Sequence, residues 1–553
     1  MRNLLSASIG AVLAFGAAFV MSAGAQRPAD GVAIVPRPAK VSRPVGAAFR
    51  FGPRTVIHAD GRAEPVARRL AAYLAPATGY ALAIRPPWTS SAPEGVVLLA
   101  IDPSLARLGP EGYRLEVRRY VMRIAAPAEA GLFYGVQTLR QLLPPEAFAD
   151  TLVRGVTWSV PAVTVEDWPR FRWRGLHLDV ARHFIPKDAV KRYVELLALH
   201  KMNTFHWHLT DDQGWRLQIR KYPRLTEVGA WRDETVIGWP DRRDSTKNRF
   251  DTVRHGGFYT QDDVREVVAF ARERFVNVVP EIEMPGHAQA AIAAYPELGV
   301  RGDTVRPWGS WGVSTYIFNP EERTVRFLQD VLTEVLELFP SPFIHVGGDE
   351  AVKDQWRASP RVQQLMRERG LADEHAMQSW FIRQMDAWLT ARGRRLVGWD
   401  EILEGGLAPN ATVMSWRGTS GGIAAAESGH DVVMTPSSHT YFDSYQTEAR
   451  QNDPNEPLAI NNYVPLDRVY SFDPLAGIAP QHWSHVLGAQ GQLWTEYIPD
   501  PKDLEYKAYP RASALAEVVW TPPTLRDYED FTLRLAEHGR RLEAMGVNYR
   551  KPR

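Results

Sequence analysis

The sequence predicts an α/β protein made of a closed (β/α)8 TIM barrel preceded by a smaller α+β domain. Three observations predict it. The chain has 553 residues, enough for one large barrel with an accessory domain. From about residue 170 onward, short apolar β-rich runs recur, mostly separated by longer stretches of helical periodicity, the pattern of parallel strands joined by crossover helices. The polar residues able to do chemistry fall at the carboxyl ends of those runs, where such a barrel carries its active site. An open doubly wound sheet would need a glycine-rich phosphate turn near its first strand, and no G-x-G-x-x-G stands there.

Residues 1–25 read as a secretory signal, with Arg2, an apolar stretch from Ile9 to Val20, and Ala23-Gly24-Ala25 before Gln26. This predicts a periplasmic or secreted protein with no membrane contact after cleavage. The α+β domain is expected over 30–165, with strands around Gly95 to Ile101 and Gly112 to Val117 and helical spacing from Ala130 to Leu143. Proline-rich 161–169 marks its end. The barrel follows over 168–525. Its strands are expected within 171–180, 202–210, 276–284, 343–348, 394–399, 411–416, 431–435 and 486–494, with helices at 187–200, 261–274, 322–338 and 375–391. A last helix, Tyr528 to Met545 within 526–553, is expected to pack on the barrel.

Composition narrows the chemistry. With 65 basic and 64 acidic residues, no single-sign field argues for nucleic acid. The absence of cysteine excludes disulfides, thiolate metal sites and a cysteine nucleophile, so catalysis must rest on carboxylates, His, Ser, Tyr or Lys. Of 18 tryptophans, 17 lie after residue 150, a distribution that fits either barrel core or a sugar-stacking surface.

The strand-end residues are Arg182 and His183, Asp211 and Asp212, His287, Asp349 and Glu350, Trp399 with Asp400 and Glu401, Trp416, Tyr441 and Asp443, and Trp494 with Glu496. The strongest segment is His345-Val346-Gly347-Gly348-Asp349-Glu350. Its glycines let the backbone pass close to a ligand, and its adjacent carboxylates, held in a poorly solvated site, raise one another's proton affinity. One then stays ionised while the other donates a proton, the division of labour that glycoside cleavage needs. A metal-dependent hydrolase is the competing reading: on a strand His206 and His208 share a face, and His287, His345 and Asp349 could complete a site. The pair lies inside its strand rather than at its end, so we expect no metal and no cofactor.

Six segments, Arg174 to Phe184, Phe205 to Trp215, Pro280 to His287, His345 to Glu350, Val397 to Glu401 and Gln492 to Glu496, together resemble the β-N-acetylhexosaminidases of glycoside hydrolase family 20. The resemblance implies exo-acting, retaining release of terminal β-linked N-acetylhexosamine from oligosaccharides or glycoconjugates, with the substrate's own acetamido oxygen as nucleophile. It further implies that Glu350 is the general acid and base, that Asp349 and Tyr441 orient the acetamido group, and that His287 and Asp211 support Glu350. Arg182, Asp443 and Glu496 would hold sugar hydroxyls, and Trp399, Trp416 and Trp494 would wall the acetamido group and the ring. Asp400 and Glu401 match the motif without an assigned role.

Overall fold

The computed structural model describes residues 28–87, 95–448, 453 and 456–551; the expected signal segment lies outside them. Eight parallel strands close into a barrel: Trp173–Asp179, Thr204–His208, Asn277–Glu281, Phe343–His345, Arg395–Trp399, Thr412–Ser415, Val432–Met434 and Val486–Gly491. They follow chain order around the barrel, and the eighth pairs with the first. Each expected run contains one of them. Alternation decides what faces inward. In the second strand His206 and His208 point into the barrel, while Phe205 and Trp207 point outward, Trp207 against Tyr259 and Phe339.

The crossover helices form where apolar residues recur at helical spacing. Glu322–Leu338 buries Val325, Leu328, Val331, Leu332 and Val335 along one stripe. Gln261–Arg272 starts at a capping box in which Thr260 and Asp263 satisfy each other's backbone N–H groups. Among the described residues no helix is long and apolar enough to cross a membrane.

The amino-terminal domain is a seven-stranded mixed sheet carrying the expected helix, Glu129–Leu142, and one the sequence reading did not single out, Glu64–Thr78. Prolines hide that helix from a pattern search. Pro65 sits in its first turn, where a missing N–H costs no hydrogen bond, and Pro76 falls in its last turn before Gly79 closes the end at φ 71°.

Buried charges join the two domains. Lys201 Nζ lies 2.8 Å from Asp167 Oδ2 with neither side chain exposed, and Arg174, in the first barrel strand, lies 2.6 Å from Glu111. The carboxyl-terminal helix, Tyr528–Ala544, packs across the junction, against both the barrel and the amino-terminal domain. Its Arg534 pairs with Glu517 at 2.6 Å and donates to Ile34 O at 2.9 Å, and Arg541 donates to Gln141 O. Ile34 and Gln141 belong to the amino-terminal domain, so the helix satisfies buried acceptors on both sides.

Candidate active site

The fourth strand ends at His345, and the chain then takes a path that ordinary residues avoid. Gly347 and Gly348 have φ of 67° and 95°, and Glu350 itself has φ 46°. A Cβ at Gly347 would lie 1.7 Å from Glu283 Oε2, so only glycine fits there. The turn delivers Asp349 and Glu350 side by side to one spot above the barrel. A non-glycine residue in the left-handed region is strain of the kind held at functional sites.

His287, also left-handed at φ 48°, links this pair to the second strand. Its Nδ1 is 3.0 Å from Asp211 Oδ1 and 3.3 Å from Asp212, and its Nε2 is 3.6 Å from both Asp349 Oδ2 and Glu350 Oε2. Burial disfavours the imidazolium, yet Asp211 and Asp349 hold it well above the ordinary range. Burial, opposed by His287 and reinforced by Glu350, pushes Asp349 up to about 6. Glu350 is the more open, with its side chain 40% exposed; burial would raise it, but the nearby His287 imidazole holds it below the usual carboxylate range.

Asp211 also accepts from Arg182 at 2.9 Å and from His208 at 2.9 Å. Arg182 is further fixed by Gln213 at 2.9 Å and lies over the Trp494 ring at 5.0 Å. Beyond it Asp443 is buried with both carboxylate oxygens lacking a partner among the described residues, and burial, then Glu496, push it up to about 8. Unpartnered buried acceptors are costly unless a ligand completes them. Trp416 stacks on Tyr441 with centroids 6.1 Å apart and planes at 24°.

These groups surround a cavity of about 170 Å³ lined by Arg182, His287, Asp349, Glu350, Trp416, Tyr441, Trp494 and Glu496, together with Arg242, Trp311, Gly312, Val313, Ile460 and Tyr497. A larger hollow of about 740 Å³ on the amino-terminal domain has neither carboxylate nor histidine in its lining, so the smaller one is the chemical site. Asp211 reaches the carboxylate pair through His287. Trp399, expected to wall a sugar, has no exposed surface; its indole donates to Glu281 at 2.9 Å and it lies beneath Trp494, centroids 5.8 Å apart.

The histidines of the metal alternative are drawn together, but around a carboxylate. Glu281 accepts from His208 at 2.6 Å and lies 3.0 Å from His206 and 2.8 Å from His345. Against burial, Glu281 and Asp211 raise His208 to about 10, whereas burial, opposed by Glu281, lowers His206 to about 4. The sequence reading gave no role to Glu401 and did not consider Glu281 or Glu283 singly. Glu401 holds the Trp416 indole at 2.9 Å. Glu283 is a buried acid whose two oxygens have no hydrogen-bond partner among the described residues, and burial and the nearby Asp349 push it well above the usual carboxylate range.

The family model for the catalytic domain of glycosyl hydrolase family 20 matches residues 171–523, and that for the family's domain 2 matches 31–168. A β-hexosaminidase of Porphyromonas gingivalis is 43% identical over 528 residues, covering 94% of this chain. The chain spans 65% of that relative and 66% of a β-hexosaminidase of Vibrio furnissii. A β-N-acetylhexosaminidase of Cellulomonas fimi is 32% identical, with 94% of this chain and 96% of the relative covered. Among solved structures, the family 20 β-N-acetylhexosaminidase of Streptomyces coelicolor superposes with a TM-score of 0.80 at 34% identity, covering 94% of this chain and 97% of that one. A mutant Streptomyces plicatus β-hexosaminidase in complex with product GlcNAc gives 0.80 at 33% identity, covering 95% and 98%.

Proposed function

Since the chain belongs to glycosyl hydrolase family 20, we infer that it is an exo-acting, retaining β-N-acetylhexosaminidase that releases terminal β-linked N-acetylhexosamine from oligosaccharides or glycoconjugates. The observation that carries this reading is the placement of both carboxylates on one turn, each 3.6 Å from the same nitrogen of His287. Two acids so placed cannot flank a glycosidic bond from opposite faces, as a carboxylate nucleophile and its acid partner must. The nucleophile then comes from the substrate.

In this reading Glu350 gives its proton to the glycosidic oxygen as the bond from that oxygen to C1 breaks, and the acetamido oxygen bonds to C1 from the other face. Asp349 accepts the acetamido N–H and offsets the positive charge of the oxazolinium. Tyr441 donates its hydroxyl to the acetamido oxygen and aims it. Water then attacks C1, giving its proton to Glu350 and reopening the ring with retained configuration. Arg182, Asp443 and Glu496 take the hydroxyls of the terminal sugar, while Trp416 and Trp494 flank it. The segment 1–25 supports export to the periplasm or medium.

The direct test compares an aryl N-acetyl-β-glucosaminide with the plain aryl β-glucoside, with and without a chelator. We expect turnover of the first only, unaffected by chelation. Equal turnover of both sugars, or loss of activity on chelation, would overturn the mechanism.

A pH profile gives a second expectation. Without substrate Asp349 binds a proton more tightly than Glu350; an amide N–H delivered to Asp349 favours its anion, and a sugar displacing water from Glu350 favours the acid, so binding is expected to reverse the order. The free enzyme is competent while the pair carries one proton. Accordingly kcat/KM falls as pH rises through about 6, where that proton leaves, with the acid limb lying below the usual glutamate range. A profile still rising between neutral and alkaline pH would contradict this assignment.

A further inference from the structure

Arg511 opens a helix, Arg511–Trp520, that lies after the eighth barrel strand, and it does not line the cavity. Its side chain is fully buried, yet no carboxylate pairs with it among the described residues, and every hydrogen bond it donates goes to a main-chain carbonyl. Nη1 reaches Ser444 O at 3.1 Å and Val464 O at 2.9 Å. Nη2 reaches Phe442 O and, at 2.8 Å, Lys507 O. A guanidinium is the one side chain with enough donors in a single plane to span acceptors on so many segments. Taking a cation out of water without an ion pair is unfavourable, and the bonds that offset it mostly fix the connection after the seventh strand.

Asp443 sits between two of those carbonyls. Its own carbonyl accepts from Ile460 N at 3.3 Å, and Phe442 N donates to Gln492 O at 2.8 Å. The peptide groups on both sides of Asp443 are thereby tied down, which leaves its short side chain few staggered directions. The carboxylate has no hydrogen bond of its own, both oxygens being buried without a partner among the described residues, so its direction is set through the backbone. Tyr441, two residues earlier, and Ile460, bonded to Asp443, both line the cavity. Charge couples the two groups as well: burial lowers the proton affinity of Arg511, and Asp443, ahead of Glu456, opposes that effect.

We propose that Arg511 is a positioning residue of the sugar pocket: from outside the cavity it holds the Asp443 carboxylate where it accepts a hydroxyl of the terminal sugar, without touching substrate itself. The proposal rests on the glycosidase reading above. An acceptor that must meet a hydroxyl to within about 0.5 Å needs a support that does not shift. Asp443 stands on the connection after the seventh barrel strand and not on the strand itself. Arg511 supplies that support through the carbonyls on either side, and its positive charge favours the ionised carboxylate, which can only accept.

The experiment measures kcat/KM for an aryl N-acetyl-β-glucosaminide in the wild-type protein, Arg511→Lys, Asp443→Asn and the double variant. Asp443→Asn should lower kcat/KM about thirtyfold, the size of a lost hydrogen bond to a charged group, and Arg511→Lys about tenfold. The double variant should stay within about twofold of Asp443→Asn alone, because a residue that acts through a carboxylate has nothing left to position once that carboxylate is gone. Losses that multiply, towards about three-hundredfold, would show that Arg511 acts elsewhere and would overturn the proposal. So would wild-type activity in Arg511→Lys or in Asp443→Asn. If Arg511→Lys does not fold, Arg511→Gln takes its place in the cycle, and failure of both marks a residue that serves the fold as a whole, which also overturns it. Wild-type protein that does not cleave the aryl glycoside would instead refute the glycosidase reading itself.

Discussion

Glu350→Gln is expected to lower kcat on N,N′-diacetylchitobiose by about 10²–10⁴-fold, the range for removing a positioned general acid. The replacement keeps the shape of the side chain and removes only the proton. It also keeps the left-handed backbone at this position, which is built by Gly347, Gly348 and residue 350 together. The loss should shrink for a dinitrophenyl leaving group, which departs without a proton. Measuring kcat for the disaccharide and the aryl glycoside in parallel separates the two roles of the group. A variant with near-normal turnover of the disaccharide, or one equally impaired on both substrates in the bond-breaking step, would show that Glu350 is not the proton donor.

The largest effect on stability is expected at Lys201. Its ammonium is fully buried, 2.8 Å from Asp167 Oδ2 and 2.9 Å from the Tyr113 hydroxyl, over the Trp520 ring at 4.7 Å. Trp520 donates to the other oxygen of Asp167 at 2.9 Å. Lys201→Met leaves the Asp167 carboxylate without its counter-ion in a site closed to water, and should cost about 3–5 kcal/mol, far more than the pair contributes relative to an apolar replacement of both partners. The double variant Lys201→Met with Asp167→Asn should recover part of the loss because no buried charge remains orphaned. Denaturant titration of the three proteins is the measurement, and a loss below about 1 kcal/mol in the single variant would refute the account.

What the sequence displays depends on the range of the interaction. Barrel strands are readable because buried parallel strands are rich in apolar residues, even where polar ones such as Arg174, His206 and Gln490 interrupt them, and residues with chemistry follow their ends, as at Val346 to Glu350. The carboxylate turn is readable because Gly-Gly before two acids is a local pattern. The partner of Trp416, in contrast, lies on another strand end, and nothing local to Glu401 tells that its oxygen receives that indole. Likewise Trp399 has the same strand-end position as Trp416, yet its indole turns inward to Glu281, a carboxylate also contacted by His206, His208 and His345 from other strands. The carboxyl-terminal helix shows its apolar stripe in sequence, but which domains receive that stripe depends on acceptors such as Ile34 O, some five hundred residues away.

The cavity that holds Asp349 and Glu350 has a floor, since Trp399, Trp494 and Met414 pack into the barrel beneath it. On the exo-acting reading proposed above, the shortened chain leaves through the mouth before the monosaccharide held against this floor can follow it out, and every new cut needs a fresh encounter with a chain end. On that reading the number of termini governs the rate, not the mass of polymer: at equal weight, short glycans should be consumed faster than long ones, and a branched glycan faster than a linear one with the same residues.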